Sequence, residues 1–349
     1  MDLHVLDALA RGGFEQLVAI SDRRSGLRGF LAIHDTTAGP AFGGIRRWSY
    51  RAENEALRDV LRLGRAMTHK CVLLGLEAGG AKLVALDHAD VDWRAAYRHI
   101  GEVVEGMAGR YYTGPDVGTG SEELAWIAET TQYVTRPDDR GPGQLAESTA
   151  EGVFAAIAAS LRHLDGEEDW SRRTVVVQGL GAVGSLLAER LCGVGATVVA
   201  ADVDAQRASE VAARLDIRLV DASAELDVPC DVFAPCALGG ILHDLSVPRL
   251  ACRVVAGAAN NVLAKPIHGD ALHARGVLYA PDFVVNSGAL LRGAAFHLEG
   301  RREPVERIGE RIGLTLEELL TSAEAEGRPP ARFAFDEAEA RLARRRSAP

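Results

Sequence analysis

The sequence predicts an α/β protein of two domains, with a parallel sheet in the second. Its 349 residues suffice for about two domains of ~100–200 residues each. From residue 174 onward, fully apolar strands alternate with helices, which is typical of a parallel sheet covered by helices on both faces. Residues 135–143 are rich in proline, glycine and charged side chains, so they mark a boundary between the domains.

The first domain is predicted from one hairpin and two amphipathic helices. Apolar runs at 15–20 and 29–34 flank a turn and predict paired strands. Residues 53–67 and 91–107 place apolar side chains at helical spacing. Between these helices, the apolar run 81–86 predicts another strand.

The second domain is predicted from repeated strand–helix units. A helix at 149–164 precedes strand 174–178, helix 182–192 and strand 197–201. A long helix starts at residue 305. Further strands are predicted at 217–220, 231–234, 253–256 and 277–280.

Composition excludes several classes of protein. Acidic residues outnumber basic ones by 49 to 39, and the net charge of −10 argues against nucleic acid or an anionic membrane as a partner. The five cysteines form no CxxC pair, so we expect reduced thiols, no metal site and a cytoplasmic location. No leader-like segment and no run of ~18 apolar residues is present, so we expect no membrane span.

A glycine-rich turn predicts a dinucleotide site. GLGAVG at 179–184 directly follows strand 174–178 and opens a helix. Gly179 permits the tight turn, Gly181 lets a pyrophosphate approach the backbone, and Gly184 lets the helix pack on the sheet. Asp202 ends the next strand, where it can accept the ribose hydroxyls and repel a 2′-phosphate, so NAD is favoured over NADP. The alternative is a strand–helix turn without a ligand.

Two lysines of the first domain are candidate catalytic groups. The chain has only three lysines, Lys70, Lys82 and Lys265, among 39 basic residues. A desolvated lysine can lose its proton and act as a base, whereas arginine cannot. Lys70 and Lys82 lie in apolar surroundings, and the alternative is that both are ordinary surface residues. Asp116 lies between turn residues after a helix, where it is either a proton carrier or a turn cap.

These segments together resemble the family of leucine, valine, phenylalanine and glutamate dehydrogenases, most closely its leucine/valine branch. The similarity runs from about residue 13 to 290. The matching motifs are 32–44, 67–70, 79–82, 113–118, 179–184, 233–239, 257–261 and 280–286.

The resemblance implies reversible, NAD-dependent oxidative deamination of an apolar L-amino acid to a 2-oxo acid and ammonia. Lys82 would be the general base, Asp116 would move the proton on the amine, and Lys70 would bind the carboxylate with Gly43 and Asn261. The implied NAD contacts are Gly179, Gly181, Ala182, Val183, Gly184, Asp202, Thr149, Ala258 and Asn286, with no metal.

The resemblance also implies an N-terminal α/β substrate-binding and oligomerisation domain and a Rossmann NAD-binding domain, with a cleft between them. The first would span residues 1–138, joined by a C-terminal helix at about 318–349, and the second 139–317. We therefore expect a homo-oligomer of at least two subunits.

Three departures from the family pattern concern the substrate. Ala81 replaces a usual glycine before Lys82, and His69 precedes Lys70. The segment 290–298 lacks two acidic residues that the family usually carries. The matching side-chain pocket, Phe42, Gly114, Leu290 and Gly293, is uncharged and so favours an apolar substrate over glutamate. It leaves open leucine, valine, phenylalanine, or a non-standard or aromatic amino acid. A hydroxy-acid oxidoreductase and a non-catalytic NAD-binding paralogue are the alternatives.

Overall fold

A computed structural model describes residues 4–136 and 138–347. The chain divides into two compact units: unit 1 comprises Met1–Gly143, Phe296–Arg301 and Ala338–Pro349, and unit 2 comprises Gln144–Ala295 and Arg302–Glu337. The predicted linker lies at the end of unit 1, and its Pro137 falls outside the described residues, as does the N-terminal start, residues 1–3.

Unit 1 is an α/β unit with a six-stranded mixed sheet. The helices of its N-terminal part are α1 (Val5–Gly12), α2 (Glu53–Leu73), α3 (Trp93–Glu105) and α4 (Ser121–Ile127). The strands are β1 (Gln16–Asp22), β2 (Leu27–Asp35), β3 (Ala41–Phe42), β4 (Ile45–Trp48), β5 (Gly79–Leu86) and β6 (Tyr111–Tyr112). Strands β1, β2 and β5 pair antiparallel, whereas β3 and β4 both pair parallel to β5 and β6 pairs parallel to β3.

The two faces of this sheet pack against different helices. All eight residues of β5 are buried, because the strand lies inside the sheet. On one face, Leu83 and Ala85 join a core cluster with Tyr97 and Ile100 of α3. On the other face, Val84 packs with side chains of α2. The alternation of side chains along a strand therefore assigns even-numbered residues of β5 to the α2 face.

Unit 2 contains the repeated strand–helix pattern. Its helices are α5 (Leu145–Asp165), α6 (Ala182–Gly193), α7 (Ala205–Leu215), α8 (Ile267–Ala274), α9 (Asp282–Val285) and α11 (Val305–Ala325). Helices α10 (Gly288–Glu299) and α12 (Pro330–Ser347) each begin in unit 2 and end in residues assigned to unit 1. The strands are β7 (Thr174–Gln178), β8 (Thr197–Ala201), β9 (Arg218–Leu219), β10 (Val232–Pro235), β11 (Val254–Val255) and β12 (Leu278–Tyr279).

The second sheet is parallel throughout, as predicted. Its strand order is β12-β11-β10-β7-β8-β9, which is the doubly wound order with β7 and β10 adjacent in the middle. Ligands of such sheets bind beyond the carboxyl ends of the strands where the winding direction reverses. That place is the end of β7 and β10, directly before the glycine-rich turn.

Candidate functional site

Lys82 lies on the α2 face of the first sheet. It occupies the centre of β5, pairs with Ala32 of β2, and is only 6% exposed. Because Val84 faces α2 and side chains alternate along a strand, the side chain of Lys82 faces α2 as well. Strand β5 has a paired strand on each side, and the burial of the Lys82 side chain keeps its amine away from water.

Lys70 is in the last turn of α2 and is 7% exposed. Helix α2 approaches β5 closely at this end, because a Cβ on Gly80 would lie 2.1 Å from the backbone nitrogen of Thr68. Only glycine permits this approach. Gly80 therefore lets the end of α2 that carries Lys70 pack closely on the face of the sheet that carries Lys82.

Asp116 is fixed by a tight turn after β6. The amide of Thr119 donates to the carbonyl of Asp116 at 2.9 Å, and Gly118 adopts a φ of 75°. The preceding segment runs beside β4, where the amide of Ile45 donates to the carbonyl of Gly114 at 3.1 Å. Because β4 pairs with β5, the segment that follows β6 runs close to β5, and Asp116 lies near Lys82.

Lys82 and Asp116 form a buried ion pair. Lys82 Nζ lies 2.6 Å from Asp116 Oδ2, and both side chains are less than 10% exposed. Burial alone would raise the pKa of Asp116, but the charges of Lys82 and Arg46 outweigh it and lower the pKa to about 2. Asp116 Oδ2 is shared by both cations, whereas Oδ1 makes a long contact with Arg46, 3.5 Å from its Nη2.

Arg46 was not predicted from the sequence, yet it is the second cation of this site. Its Nε lies 3.3 Å from Asp116 Oδ2 and its Nη1 lies 3.2 Å from Asp59 Oδ2. The Tyr50 hydroxyl donates to the same Asp59 oxygen at 2.7 Å. A buried chain of alternating charge thus runs from Lys82 to Asp59. The available signal was the position of Arg46 two residues after the Gly43-Gly44 pair.

The predicted substrate residues Phe42, Gly43 and Gly114 lie in or just after strands β3 and β6, which belong to the same sheet as the Lys82 strand β5. A Cβ on Gly43 would lie 1.8 Å from the carbonyl oxygen of Ala81, so the glycine backbone is pressed against β5 beside Lys82. The Tyr111 hydroxyl donates to the carbonyl of Gly43 at 2.7 Å and holds it in place. A Cβ on Gly114 would lie 3.4 Å from Thr135 Cβ, which is ordinary contact.

Phe42 belongs to a group of aromatic rings. It stacks on Tyr112 with centroids 5.1 Å apart, and the His297 ring lies 4.6 Å from Tyr112 and 6.1 Å from Phe42. His297 Nε2 also bonds to the hydroxyl of Thr135 at 3.0 Å. Burial lowers the pKa of His297 to about 4, so this ring is uncharged at neutral pH. The rings of Tyr112 and His297 beside Phe42 therefore carry no positive charge that would pair with a glutamate substrate.

The two departures beside the lysines have structural explanations. Ala81 lies in β5 and is not one of the non-glycine residues with positive φ in the described chain, so its side chain is unstrained. His69 is buried, and its Nε2 lies 2.5 Å from Oε1 of Glu339 in α12. Arg65 also contacts Glu339, at 2.8 Å. The last helix thus fastens the end of α2 that carries Lys70.

In unit 2, the glycine-rich turn has the geometry of a phosphate cradle. Gly179 has a φ of 90°, and a Cβ there would lie 2.8 Å from Ala237, so the turn requires glycine. A Cβ on Gly184 would lie 1.8 Å from the carbonyl oxygen of Gly179, which brings α6 tightly onto the turn. No heavy atom lies within 4 Å of a Cβ on Gly181. The start of α6, with Ala182 and Val183, is therefore open to an anion.

Asp202 lies just beyond the end of β8, and its side chain is 3% exposed. The amide of Leu180, within the glycine-rich turn, donates to its Oδ2 at 2.6 Å. The amide of Asp204 donates to Oδ1 at 2.8 Å. Burial raises the pKa of Asp202, and the bonds from Arg207 and these amides more than reverse this, so the pKa is lowered. The carboxylate is thus ionised and tied to the turn.

Three of the predicted NAD contacts outside the glycine-rich turn lie in unit 2. The Asn286 side-chain nitrogen donates to the carbonyl of Ala258 at 3.1 Å. A Cβ on Gly288 would lie 2.7 Å from the amide of Thr149, so α10 begins directly against α5. Asn286, Ala258 and Thr149 therefore lie around one end of the second sheet.

The remaining predicted substrate residues also lie in unit 2. Asn261 adopts a φ of 53°, a left-handed conformation that asparagine tolerates better than most residues. Leu290 and Gly293 are buried in α10, which includes the divergent segment 290–298 as a helix. Ser148 accepts a hydrogen bond at 2.9 Å from Arg292 of this helix.

The described residues contain no group of three or more His, Cys, Asp or Glu side chains placed to hold a metal ion. None of the helices within 4–136 and 138–347 is long and apolar enough to cross a bilayer.

The fold and these residues define a class: a dehydrogenase with a dinucleotide-binding unit and a second unit that carries a buried Lys–Asp pair. The family model for the Glu/Leu/Phe/Val dehydrogenase dimerisation domain matches residues 15–133. The model for the Glutamate/Leucine/Phenylalanine/Valine dehydrogenase domain matches residues 141–206 and 203–295. The chain therefore belongs to the Glu/Leu/Phe/Val dehydrogenase family, which is nicotinamide-dependent, and it is an oxidoreductase.

Individual relatives support this assignment over most of the chain. The leucine dehydrogenase of Thermoactinomyces intermedius is 38% identical over 317 residues, which cover 89% of this chain and 87% of that protein. The phenylalanine dehydrogenase of Lysinibacillus sphaericus is 37% identical, covering 80% and 76%. The structure of L-tryptophan dehydrogenase from Nostoc punctiforme matches with a TM-score of 0.83 and 32% identity, covering 98% and 100%. The predicted family is confirmed.

Proposed function

We propose that this protein catalyses the NAD-dependent oxidative deamination of an apolar L-amino acid to its 2-oxo acid and ammonia, and the reverse reaction. The observation that carries the proposal is the buried Lys82–Asp116 pair, 2.6 Å apart, on the sheet face against which the Lys70 end of α2 packs. A nicotinamide ring, when bound, supplies the hydride acceptor. The backbone of Gly179, Gly181 and Gly184 and the start of α6 would hold its pyrophosphate, and Asp202 its ribose.

Lys70 would bind the substrate carboxylate as a point charge. Its amine is on a buried helix end that His69 and Glu339 fasten, so the cation is held with little freedom to move. The Gly43 backbone, pressed against Ala81, would let the substrate approach Lys82 closely. These contacts would orient the α-amino group of the substrate toward Asp116.

Lys82 and Asp116 would divide the proton transfers between them. After the α-carbon loses hydride, the substrate is an iminium, and Lys82 would take a proton from the water that attacks its carbon. Asp116, which is ionised in the pair, would take a proton from the α-ammonium group of the substrate before hydride transfer and return it to the nitrogen of the resulting carbinolamine. Ammonia then leaves as the C–N bond breaks, and the remaining hydroxyl proton is released as the 2-oxo acid forms.

We assign an apolar side chain to the substrate because the rings around Phe42 carry no cation. An aliphatic side chain such as that of leucine can make apolar contacts with these rings. A second candidate, an aromatic amino acid, is favoured by the stacked Phe42–Tyr112 pair. We further propose that the protein is a cytoplasmic homo-oligomer that associates through unit 1, consistent with the dimerisation-domain match.

The proposal is tested by NAD reduction with a panel of substrates at a pH of about 10, since deamination releases protons and alkali favours it. The panel contains apolar L-amino acids, aromatic L-amino acids, L-glutamate and 2-hydroxy acids. We expect turnover with apolar or aromatic L-amino acids and none with the last two. Turnover of a 2-hydroxy acid alone, or measurable NAD binding with no turnover of any amino acid, would contradict the proposal.

The same assay tests whether the His297 ring limits the size of the substrate side chain. His297→Ala removes a ring beside Phe42 and Tyr112 and makes room for a larger side chain. We expect kcat/KM for tryptophan relative to leucine to rise by at least about tenfold, the scale that one or two methylene-sized contacts provide. A ratio that stays within about twofold of the wild-type value would place His297 outside the substrate pocket.

A further inference from the structure

The carboxylate of Asp202, which is proposed to bind the ribose, already forms an ion pair with Arg207. Arg207 is in the first turn of α7, and its side chain folds back onto Asp202. Nη2 lies 2.6 Å from Asp202 Oδ1 and Nε lies 3.1 Å from Oδ2, so the pair is bidentate. Nη1 reaches Asp204 Oδ2 at 3.2 Å. Asp202 is therefore not the lone negative charge on which the predicted preference for NAD depends.

The pairing with Arg207 leaves Asp202 without a free position for another hydrogen bond. An ionised carboxylate has about four acceptor positions. The amides of Leu180 and Asp204 fill two of them, and the guanidinium of Arg207 fills the other two. The two ribose hydroxyls can therefore bind Asp202 only when Arg207 moves away. The Arg207 side chain is 42% exposed, whereas that of Asp202 is 3% exposed, so Arg207 is the partner that is free to swing.

We infer that Arg207 is a specificity-determining residue for the adenosine ribose of the dinucleotide. In its paired position it cancels the charge of Asp202, which removes most of the repulsion toward a 2′-phosphate. After swinging outward it offers the phosphate a bidentate cation of the kind that recognises phosphate elsewhere. Arg207 thus narrows the preference for NAD over NADP that Asp202 alone would impose. This inference rests on the proposed binding of a dinucleotide to unit 2.

The test uses ligands without a nicotinamide ring, so that no turnover contributes. Calorimetric titration measures Kd for ADP-ribose and for 2′-phospho-ADP-ribose with the full-length wild type and with Arg207→Gln. We expect the ratio of the two constants, phosphorylated over unphosphorylated, to rise by at least about tenfold in the variant, the scale of one charge-assisted bidentate contact. Arg207→Lys, which keeps the charge without the planar fork, should give an intermediate ratio.

Arg214→Gln is the matched control. Arg214 is in the same helix and pairs with Glu189 at 2.6 Å, so the variant loses the same charge and one exposed ion pair. Its Kd ratio should equal that of the wild type. An Arg207→Gln ratio within about twofold of wild type, or an equal shift in Arg214→Gln, would overturn the inference while leaving dinucleotide binding intact. Failure of the wild type to bind either ligand would overturn the proposed cofactor site and the inference with it.

Discussion

Replacing Arg46 tests the charge balance of the site most sharply. In Arg46→Gln, Asp116 loses one of the two cations within 3.3 Å of its Oδ2, and Asp59 loses one of its two cations, at 3.2 Å, while keeping Arg62. Lowering the pKa of Asp116 from its ordinary ~3.9 to about 2 corresponds to ~2.5 kcal/mol in favour of the ionised form. Arg46 is one of two cations, so its share is ~1 kcal/mol, and the loss at Asp59 adds about as much. We expect the free energy of unfolding to fall by about 2 kcal/mol at neutral pH.

The assay is urea unfolding in a double-mutant cycle with Asp116→Asn. In the Asp116→Asn background, Arg46→Gln should cost only about 1 kcal/mol, because the share carried by Asp116 is already gone. The pH dependence has a defined sign. The folded pKa of Asp116 is lowered, so its contribution is complete above ~3.9 and is lost as the pH falls through about 2. An equal cost of Arg46→Gln in both backgrounds would refute the coupling.

Two other variants test the glycine-rich turn of unit 2 and the support of Lys70 in unit 1. In Gly184→Ala the new Cβ would lie 1.8 Å from the carbonyl oxygen of Gly179, so binding of reduced NAD, measured by fluorescence titration, should weaken by at least about tenfold. The control is Gly193→Ala in the same helix, whose Cβ meets nothing within 4 Å and should leave binding unchanged. Equal effects of the two alanines would show that the turn is not the binding element. Glu339→Gln removes the carboxylate that His69 contacts at 2.5 Å and should raise KM for the amino acid several-fold with little change in kcat, since Lys70 loses its support. A fall in kcat at constant KM would contradict this role.

The strand–helix alternation of unit 2 was predictable because buried parallel strands are continuous apolar runs. Strand β7 and helix α6 begin at the predicted residues, 174 and 182. The later strands are shorter than predicted: β11 spans Val254–Val255 within the predicted 253–256. An apolar run indicates burial, but the length of a strand depends on how many backbone groups its neighbour can pair.

Unit 1 was less predictable, because its short strands carry no periodic signal. Strands β3 and β6 have two residues each, and β4 includes Arg46 and Arg47. Helix α2 and strand β5 were predicted over 53–67 and 81–86, but α2 continues to Leu73, so Lys70 lies in its last turn and not after its end. The contact between Lys82 and Asp116 depends on how the short strands pair. Arg46 was missed because arginine is abundant in this chain, so its type alone indicates nothing. Its function becomes visible only through the pairing of β4 with β5.

Arg207 illustrates the same limit in unit 2. Asp202 was predicted as a ribose anchor from its position after β8, and the structure ties it to the glycine-rich turn through Leu180. Asp202 and Arg207 are five residues apart, one before and one inside the start of α7, and this spacing does not by itself indicate a side-chain contact. The partner of a predicted residue is thus harder to predict than the residue itself, because it depends on how the chain turns between them.

The most direct test of the account is the turnover of Lys82→Ala with the best L-amino acid, beside Lys265→Ala. Lys265 is exposed in unit 2 and is not among the residues assigned to the site, so it controls for the loss of a lysine. We predict that Lys82→Ala lowers kcat by ~10²–10⁴-fold, the range of general acid–base catalysis, while NAD still binds and Lys265→Ala keeps the wild-type rate. A Lys82→Ala enzyme that retains more than about a tenth of the wild-type kcat would contradict the assignment of Lys82 as the catalytic base.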